Sequence, residues 1–163
     1  MLLDLREIIE QPGGKVSFDY EPDITDIIGG PVITVKQPVR ATGSVTNSAG
    51  VLTFTADTDV TCICSCARCL KEFEKPLLKH ISVSLTEKGI GESPDAYFIK
   101  GDKIDVGEII VTELILDMED RQLCFEECAG LCQKCGANLN EGKCDCKEDI
   151  DPRLAILSQL LEE

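Results

Sequence analysis

The chain has no tryptophan, one histidine, two tyrosines and five phenylalanines, so aromatics make up 4% of its residues. Its core must therefore be largely aliphatic. No run of about 18 apolar residues occurs, and no membrane span is expected. The first residues, MLLDLREIIEQPGG, carry Asp4, Arg6, Glu7 and Glu10 where a secretory signal would need an apolar stretch. No internal repeat, nucleophile motif or phosphate-binding glycine loop is present. Positive charge is also scarce: 16 Lys and Arg stand against 30 Asp and Glu, a formal net charge of −14. Such a chain repels nucleic acid and anionic membrane and attracts basic partners.

At 163 residues with 43% hydrophobic content, the chain is long enough for one ordinary domain plus a small appendage. KVSFDYE at 15–21 alternates Val16, Phe18 and Tyr20 with polar residues, the period of a half-buried strand. VITVK at 32–36, VRATGSV at 39–45 and VLTFTADTDV at 51–60 are rich in β-branched residues, and NSAG at 47–50 reads as a turn. HISVSLTE alternates again through Ile81, Val83 and Leu85. These strands with short links predict an antiparallel, partly closed sheet; parallel crossovers are not expected, because no helical pattern separates the strands. Residues 89–103 cluster Gly and Pro and read as a loop, with a short strand at Tyr97 to Ile99. IDVGEIIVTELILDMED then changes period. Ile110, Val111, Leu114, Ile115 and Met118 make an apolar helical face, and Asp105 with Glu108 resembles a capping box.

From Cys124 the composition shifts to LCFEECAGLCQKCGANLNEGKCDC, six cysteines with few bulky apolar residues, which needs metal or disulfides to hold a shape. DPRLAILSQLLEE closes the chain as a docking helix, with Asp151 as N-cap and Pro152 at its first position. The fold class expected is thus α+β. An antiparallel β domain with an acidic amphipathic helix occupies 1–122, and a cysteine-rich zinc-knuckle lobe with a terminal helix occupies 123–163.

With no export signal, a cytoplasmic or organellar setting is the default, and there cysteines read as metal ligands or redox thiols before disulfides. Zinc takes four thiolates at tetrahedral corners, and a C-x-x-C turn presents two of them. C-A-R-C at 66–69 and C-Q-K-C at 132–135 are both such turns, and Gly136 supplies permissive backbone after the second. The candidate ligands are Cys66, Cys69, Cys124, Cys128, Cys132, Cys135, Cys144 and Cys146, for one or two zinc ions. Several partitions are open. One joins Cys132, Cys135, Cys144 and Cys146 locally and pairs Cys66 and Cys69 with Cys124 and Cys128; another joins the two C-x-x-C turns. Cys62 and Cys64 share strand parity with Val60 and read as small buried hydrophobes. His80 reads as a structural or surface residue, so an open catalytic metal position is not indicated.

Residues 105–127 hold eight acidic groups and one basic, whereas 66–80 hold Arg68, Lys71, Lys75 and Lys79 against Glu72 and Glu74. The basic stretch reads first as a solvated hairpin. Its sharper reading is a local partner or RNA contact at Arg68, Lys71 and Lys75.

CARCLKEFEKP, the helix IDVGEIIVTELILDM and the cysteine-rich string followed by DPRLAIL together resemble the YceD family, the large ribosomal RNA subunit accumulation proteins. The matching positions are Cys66, Arg68, Cys69, Leu70, Cys124, Cys128, Gly130, Leu131, Cys132, Cys135, Gly136, Asn138, Leu139 and Asn140. The resemblance implies a non-enzymatic role in large-subunit assembly and rRNA accumulation. Since the acidity disfavours nonspecific RNA binding, the expected partner is a basic large-subunit ribosomal protein or assembly intermediate, with any direct RNA contact weak and no small-molecule substrate or membrane. The rival is a thiol-based redox or metal-handling protein using its C-x-x-C motifs; a third reading, a small zinc-dependent nucleic-acid binder, is weakened by the net charge.

Overall fold

Alternation is carried furthest in the strand Val51–Ser65, where Leu52, Phe54, Ala56, Thr58, Val60, Cys62 and Cys64 are buried and every residue between them is at least partly exposed. Period-two side chains on a pleated strand leave no other way to bury one apolar set. The computed structural model describes residues 1–87 and 96–146, with backbone only at 26, 37, 38 and 87. The docking helix expected at 152–163 lies outside the described residues.

In chain order the elements are β1 (Leu2–Asp4), a single helical turn α1 (Arg6–Ile9), β2 (Lys15–Tyr20), a 3-10 turn (Thr25–Ile27), β3 (Val32–Ser48), β4 (Val51–Ser65), β5 (Glu72–Glu87), β6 (Tyr97–Ile99), β7 (Lys103–Asp105) and α2 (Val106–Asp117). A five-stranded sheet runs in the order β2-β3-β4-β5-β6, and β1 pairs with β7 separately. The pairs β2–β3, β3–β4 and β4–β5 are antiparallel, as expected.

Two expectations are corrected. The sheet is open, not partly closed: β2 and β6 are its edges. Val106, Ile109, Ile110 and Leu114 of α2 belong to the same buried cluster as the inward residues of the strands, so burial does not require closure. The pair β5–β6 is parallel, from Leu85↔Tyr97 to Glu87↔Ile99. The link between these strands carries Gly and Pro and no apolar period, so the crossover left no helical signal to read.

Two further differences have local causes. VITVK and VRATGSV belong to one strand, β3, whose register shifts between Lys36 and Arg40, a bulge that interrupts the alternation. Strand β5 begins at Glu72, earlier than its apolar alternation, and passes through Pro76 opposite Thr61. Proline is tolerated there because β6 pairs only with residues 85–87, which leaves β5 an edge at that point.

The turn at 47–50 is a two-residue hairpin closed by Ser48↔Val51. Ala49 (φ 53) and Gly50 (φ 92) take the positive φ that the twist of such hairpins demands. Buried Asn47 holds it in place: Nδ2 donates to the Ile8 and Ile9 carbonyls at 2.7 and 2.9 Å, and Oδ1 accepts from Gly50 N at 2.8 Å. On the inner face, Phe18, Gly43 and Ala56 face one another across three strands, and the Phe18 ring stacks on Phe54 at 5.3 Å.

Helix α2 starts where Asp105 Oδ1 accepts from the amides of Gly107 (2.9 Å) and Glu108 (3.3 Å). It buries Val106, Ile109, Ile110 and Leu114 against the sheet. Ile115, placed on that face by sequence, is 44% exposed; the true stripe is rotated toward Val106 and Ile109. The helix end and strand β5 are tied by Lys79, whose Nζ donates to the Glu113 carbonyl at 2.8 Å and lies 3.2 Å from Asp117.

Candidate metal centres

The inward parity of β4 continues past its end to Cys66, where the chain reverses tightly. Cys66 N donates to the Lys71 carbonyl (3.0 Å) and Leu70 N to the Cys66 carbonyl (2.9 Å). The segment after α2 is fastened to this turn: Ala67 N donates to the Gln122 carbonyl (2.8 Å), Leu131 N to the Arg68 carbonyl (3.2 Å), and Arg68 Nη1 to the Cys128 carbonyl (2.9 Å). Gly130 is required by that approach. It has φ 78, and a Cβ there would lie 3.0 Å from the Arg68 carbonyl oxygen.

The result is a group of four sulfurs, Cys66, Cys69, Cys124 and Cys128, all within 4.8 Å of one another. Cys66 and Cys128 Sγ are 3.8 Å apart, and Cys69 and Cys124 Sγ 3.6 Å. The edge of a tetrahedron with metal–sulfur bonds of about 2.3 Å is about 3.8 Å, and a disulfide would need about 2.05 Å. The donor set therefore fits a tetrahedral thiolate-bound ion. Its surroundings are prepared for negative sulfur. Burial opposes ionisation of Cys66, yet the amides of Cys124, Cys69 and Arg68 point at its sulfur and bring the thiol down to about 6. Burial, then the crowding of the other three thiols, pushes Cys124 up to about 12. One thiolate forms readily and the next is opposed by its neighbours; a bound cation removes that opposition.

The second group is Cys132, Cys135, Cys144 and Cys146, again with sulfurs within 4.8 Å. Its C-x-x-C turn repeats the first: Cys132 N donates to the Ala137 carbonyl (2.8 Å) and Gly136 N to the Cys132 carbonyl (2.9 Å). The amides of Cys135 and Lys134 bring the Cys132 thiol down to about 6. The two centres differ in cover. Cys66, Cys69 and Cys128 are buried, whereas Cys135 is exposed and Cys132 and Cys144 are half-buried. Of the groupings open in the sequence, the sulfurs come together in the local one, and the two C-x-x-C turns lie in different groups.

Asn140 bonds to the first centre from the loop between Cys135 and Cys144, and ligand spacing does not single it out. Its Nδ2 donates to Cys128 Sγ (3.3 Å) and to Asn138 Oδ1 (2.8 Å), and its Oδ1 accepts from Ala129 N (2.7 Å). The only sequence signal was its place in the N-L-N string. Cys62 and Cys64 join neither group. They sit in the apolar core with Val60, and burial pushes both thiols up. His80 is exposed, its Nδ1 2.6 Å from Asp57 Oδ1 across the strands.

The three cations considered for partner contact are differently placed. Lys75 points inward, with Nζ 2.5 Å from Gln122 Oε1 and 3.9 Å from Glu119 Oε2. Arg68 is exposed but shares its guanidinium with the Cys128 carbonyl, and Lys71 is exposed.

The family model described as Large ribosomal RNA subunit accumulation protein YceD matches residues 52–161, a span that contains both sulfur groups whole. The chain belongs to the YceD family. Among relatives, it is 39% identical over 62 residues to the large ribosomal RNA subunit accumulation protein YCED homolog 1, chloroplastic, of Arabidopsis thaliana, covering 37% of this chain and 19% of that protein. It is 30% identical over 105 residues to uncharacterized proteins of Mycobacterium bovis and Mycobacterium tuberculosis, covering 59% of this chain and 49% of theirs. The chain thus spans about half or less of the length of these relatives. No solved structure matches it. Among the described residues, no helix is long and apolar enough to cross a membrane.

Proposed function

We propose that this YceD-family chain is a non-enzymatic, cytoplasmic factor in large ribosomal subunit biogenesis. It supports accumulation of large-subunit rRNA by binding a basic ribosomal protein or an assembly intermediate. The observation that carries the reading is the family match over residues 52–161; the formal charge of −14 selects a basic protein over bare RNA as the direct partner.

In this reading each sulfur group holds one structural zinc ion: Cys66, Cys69, Cys124 and Cys128 the first, Cys132, Cys135, Cys144 and Cys146 the second. Zinc supplies cross-links there that replace an apolar core. Four sulfurs complete a tetrahedral shell, an arrangement typical of structural sites, whereas catalytic zinc keeps a position for water. The division into a β domain at 1–122 and a metal-stabilised lobe at 123–163 follows the same logic, with the first centre shared across the boundary. A thiol-redox role is the weaker reading. The first C-x-x-C turn leads into strand β5, so no helix N-terminus stands behind its sulfurs to make one of them a stable nucleophile.

Depletion of the protein tests the assembly role. The expected result is a fall in large-subunit rRNA relative to small-subunit rRNA, with recovery on re-expression; an unchanged ratio overturns it.

A further inference from the structure

The two C-x-x-C turns form the same pair of backbone hydrogen bonds but differ in the residue after the second cysteine. In the second turn it is Gly136, at φ 72, where a Cβ would meet nothing within 4 Å. In the first it is Leu70, at φ 59. The left-handed region disfavours a leucine and leaves a glycine unstrained. Core burial does not compensate, because Leu70 is 66% exposed. A strained residue left largely exposed points to a role outside its own chain.

Leu70 is also not alone. Cys69 and Cys124 Sγ are 3.6 Å apart, and the residue after each is a large apolar one, Leu70 and Phe125, the latter 50% exposed. Exposed Glu126 and Glu127 follow Phe125 in the chain, and exposed Lys71 and Glu72 follow Leu70. We propose that this edge of the first centre is a docking surface for a basic protein, which takes Leu70 and Phe125 into an apolar pocket and sets Lys or Arg side chains against Glu126 and Glu127. The inference rests on the reading above that the chain acts by binding a basic large-subunit protein. Charge complementarity selects a protein over RNA: the exposed carboxylates Glu72, Glu126 and Glu127 outnumber the exposed cations Arg68 and Lys71 here, and Arg68 is already engaged by the Cys128 carbonyl. Anchors fixed beside a cross-linked centre lose little freedom on binding.

The test uses the full chain loaded with zinc and titrates individually purified large-subunit ribosomal proteins by fluorescence anisotropy, with thermal melting and zinc content measured on the same samples. Leu70→Asn places a residue that tolerates positive φ and removes the apolar anchor; Leu70→Met keeps it apolar. The expected result is that the Asn variant keeps its zinc, melts at the same or a higher temperature, and binds at least about tenfold more weakly. The Met variant binds within about threefold of the parent, and Phe125→Ser weakens binding as the Asn variant does. An Asn variant that binds like the parent overturns the docking surface and leaves the partner class standing. An Asn variant that loses zinc and melts lower assigns Leu70 a structural role and also overturns the surface. Binding to naked rRNA but to none of the ribosomal proteins overturns the surface and the underlying reading together.

Discussion

Replacing Cys144 and Cys146 together by serine separates the two centres. The four sulfurs of each group lie within 4.8 Å, and the 3.6 and 3.8 Å separations in the first group match the edge of a tetrahedral thiolate shell, about 3.8 Å. The double variant removes half of the second shell and touches none of the first. Metal content is expected to fall from two ions per chain to one, and the remaining ion to retain four sulfurs at about 2.3 Å by X-ray absorption, at the zinc and not the iron edge. Structural zinc sites are worth about 10–16 kcal/mol of apparent binding energy, comparable with the whole stability of a typical domain, about 5–15 kcal/mol. Residues 132–146 are therefore expected to lose their structure in the variant while the sheet keeps its cooperative melt. Loss of both ions, or retention of both, refutes the partition. Loss of metal from Cys124→Ser/Cys128→Ser protein at the second centre would do so from the other side.

Three further outcomes follow from particular contacts. Gly43→Ala would set a Cβ 2.1 Å from the Thr55 carbonyl oxygen and 2.8 Å from Ala56 Cα; backbone cannot yield as a side chain does, and denaturant unfolding should show a loss of about 3 kcal/mol or more. Asn140→Ala removes the donor to Cys128 Sγ and should weaken zinc retention by the buried centre about 10- to 100-fold in chelator competition, with metal stoichiometry at saturation unchanged. Cys62→Val and Cys64→Val, at buried apolar positions outside both sulfur groups, should leave the metal content at the parent value and shift stability by less than about 1.5 kcal/mol; metal loss in either would return these thiols to the chemistry.

Legibility followed the range of the interaction that decides each feature. The inward set on β4, including Cys62 and Cys64, depends on strand parity alone, and the sequence carries parity directly. The Asp105 cap and the Ala49–Gly50 hairpin depend on side-chain chemistry within four residues, and both were visible. Where the period was broken, reading failed: the bulge between Lys36 and Arg40 divided β3, and Lys75 and Pro76 concealed the first half of β5. Lys75 is an inward residue that sequence treats as a surface cation; only the segment after α2, bringing Gln122 and Glu119 to its amine, accounts for it.

The cysteine centres divide the same way. The eight candidate ligands, their two C-x-x-C turns and the glycine after the second turn were determined by composition and spacing, because a thiolate pair on a tight turn is a local geometry. Which four sulfurs meet was decided by tertiary structure. The turn at the end of β4 closes with Cys124 and Cys128 because the Gln122, Arg68 and Cys128 carbonyls anchor the returning segment against it, and contacts spanning more than fifty residues leave no mark in local spacing. The conformation of Leu70 belongs to that second class as well. Its motif position is evident in the sequence, but its positive φ and its exposure come from the fold that closes around Cys66 and Cys69.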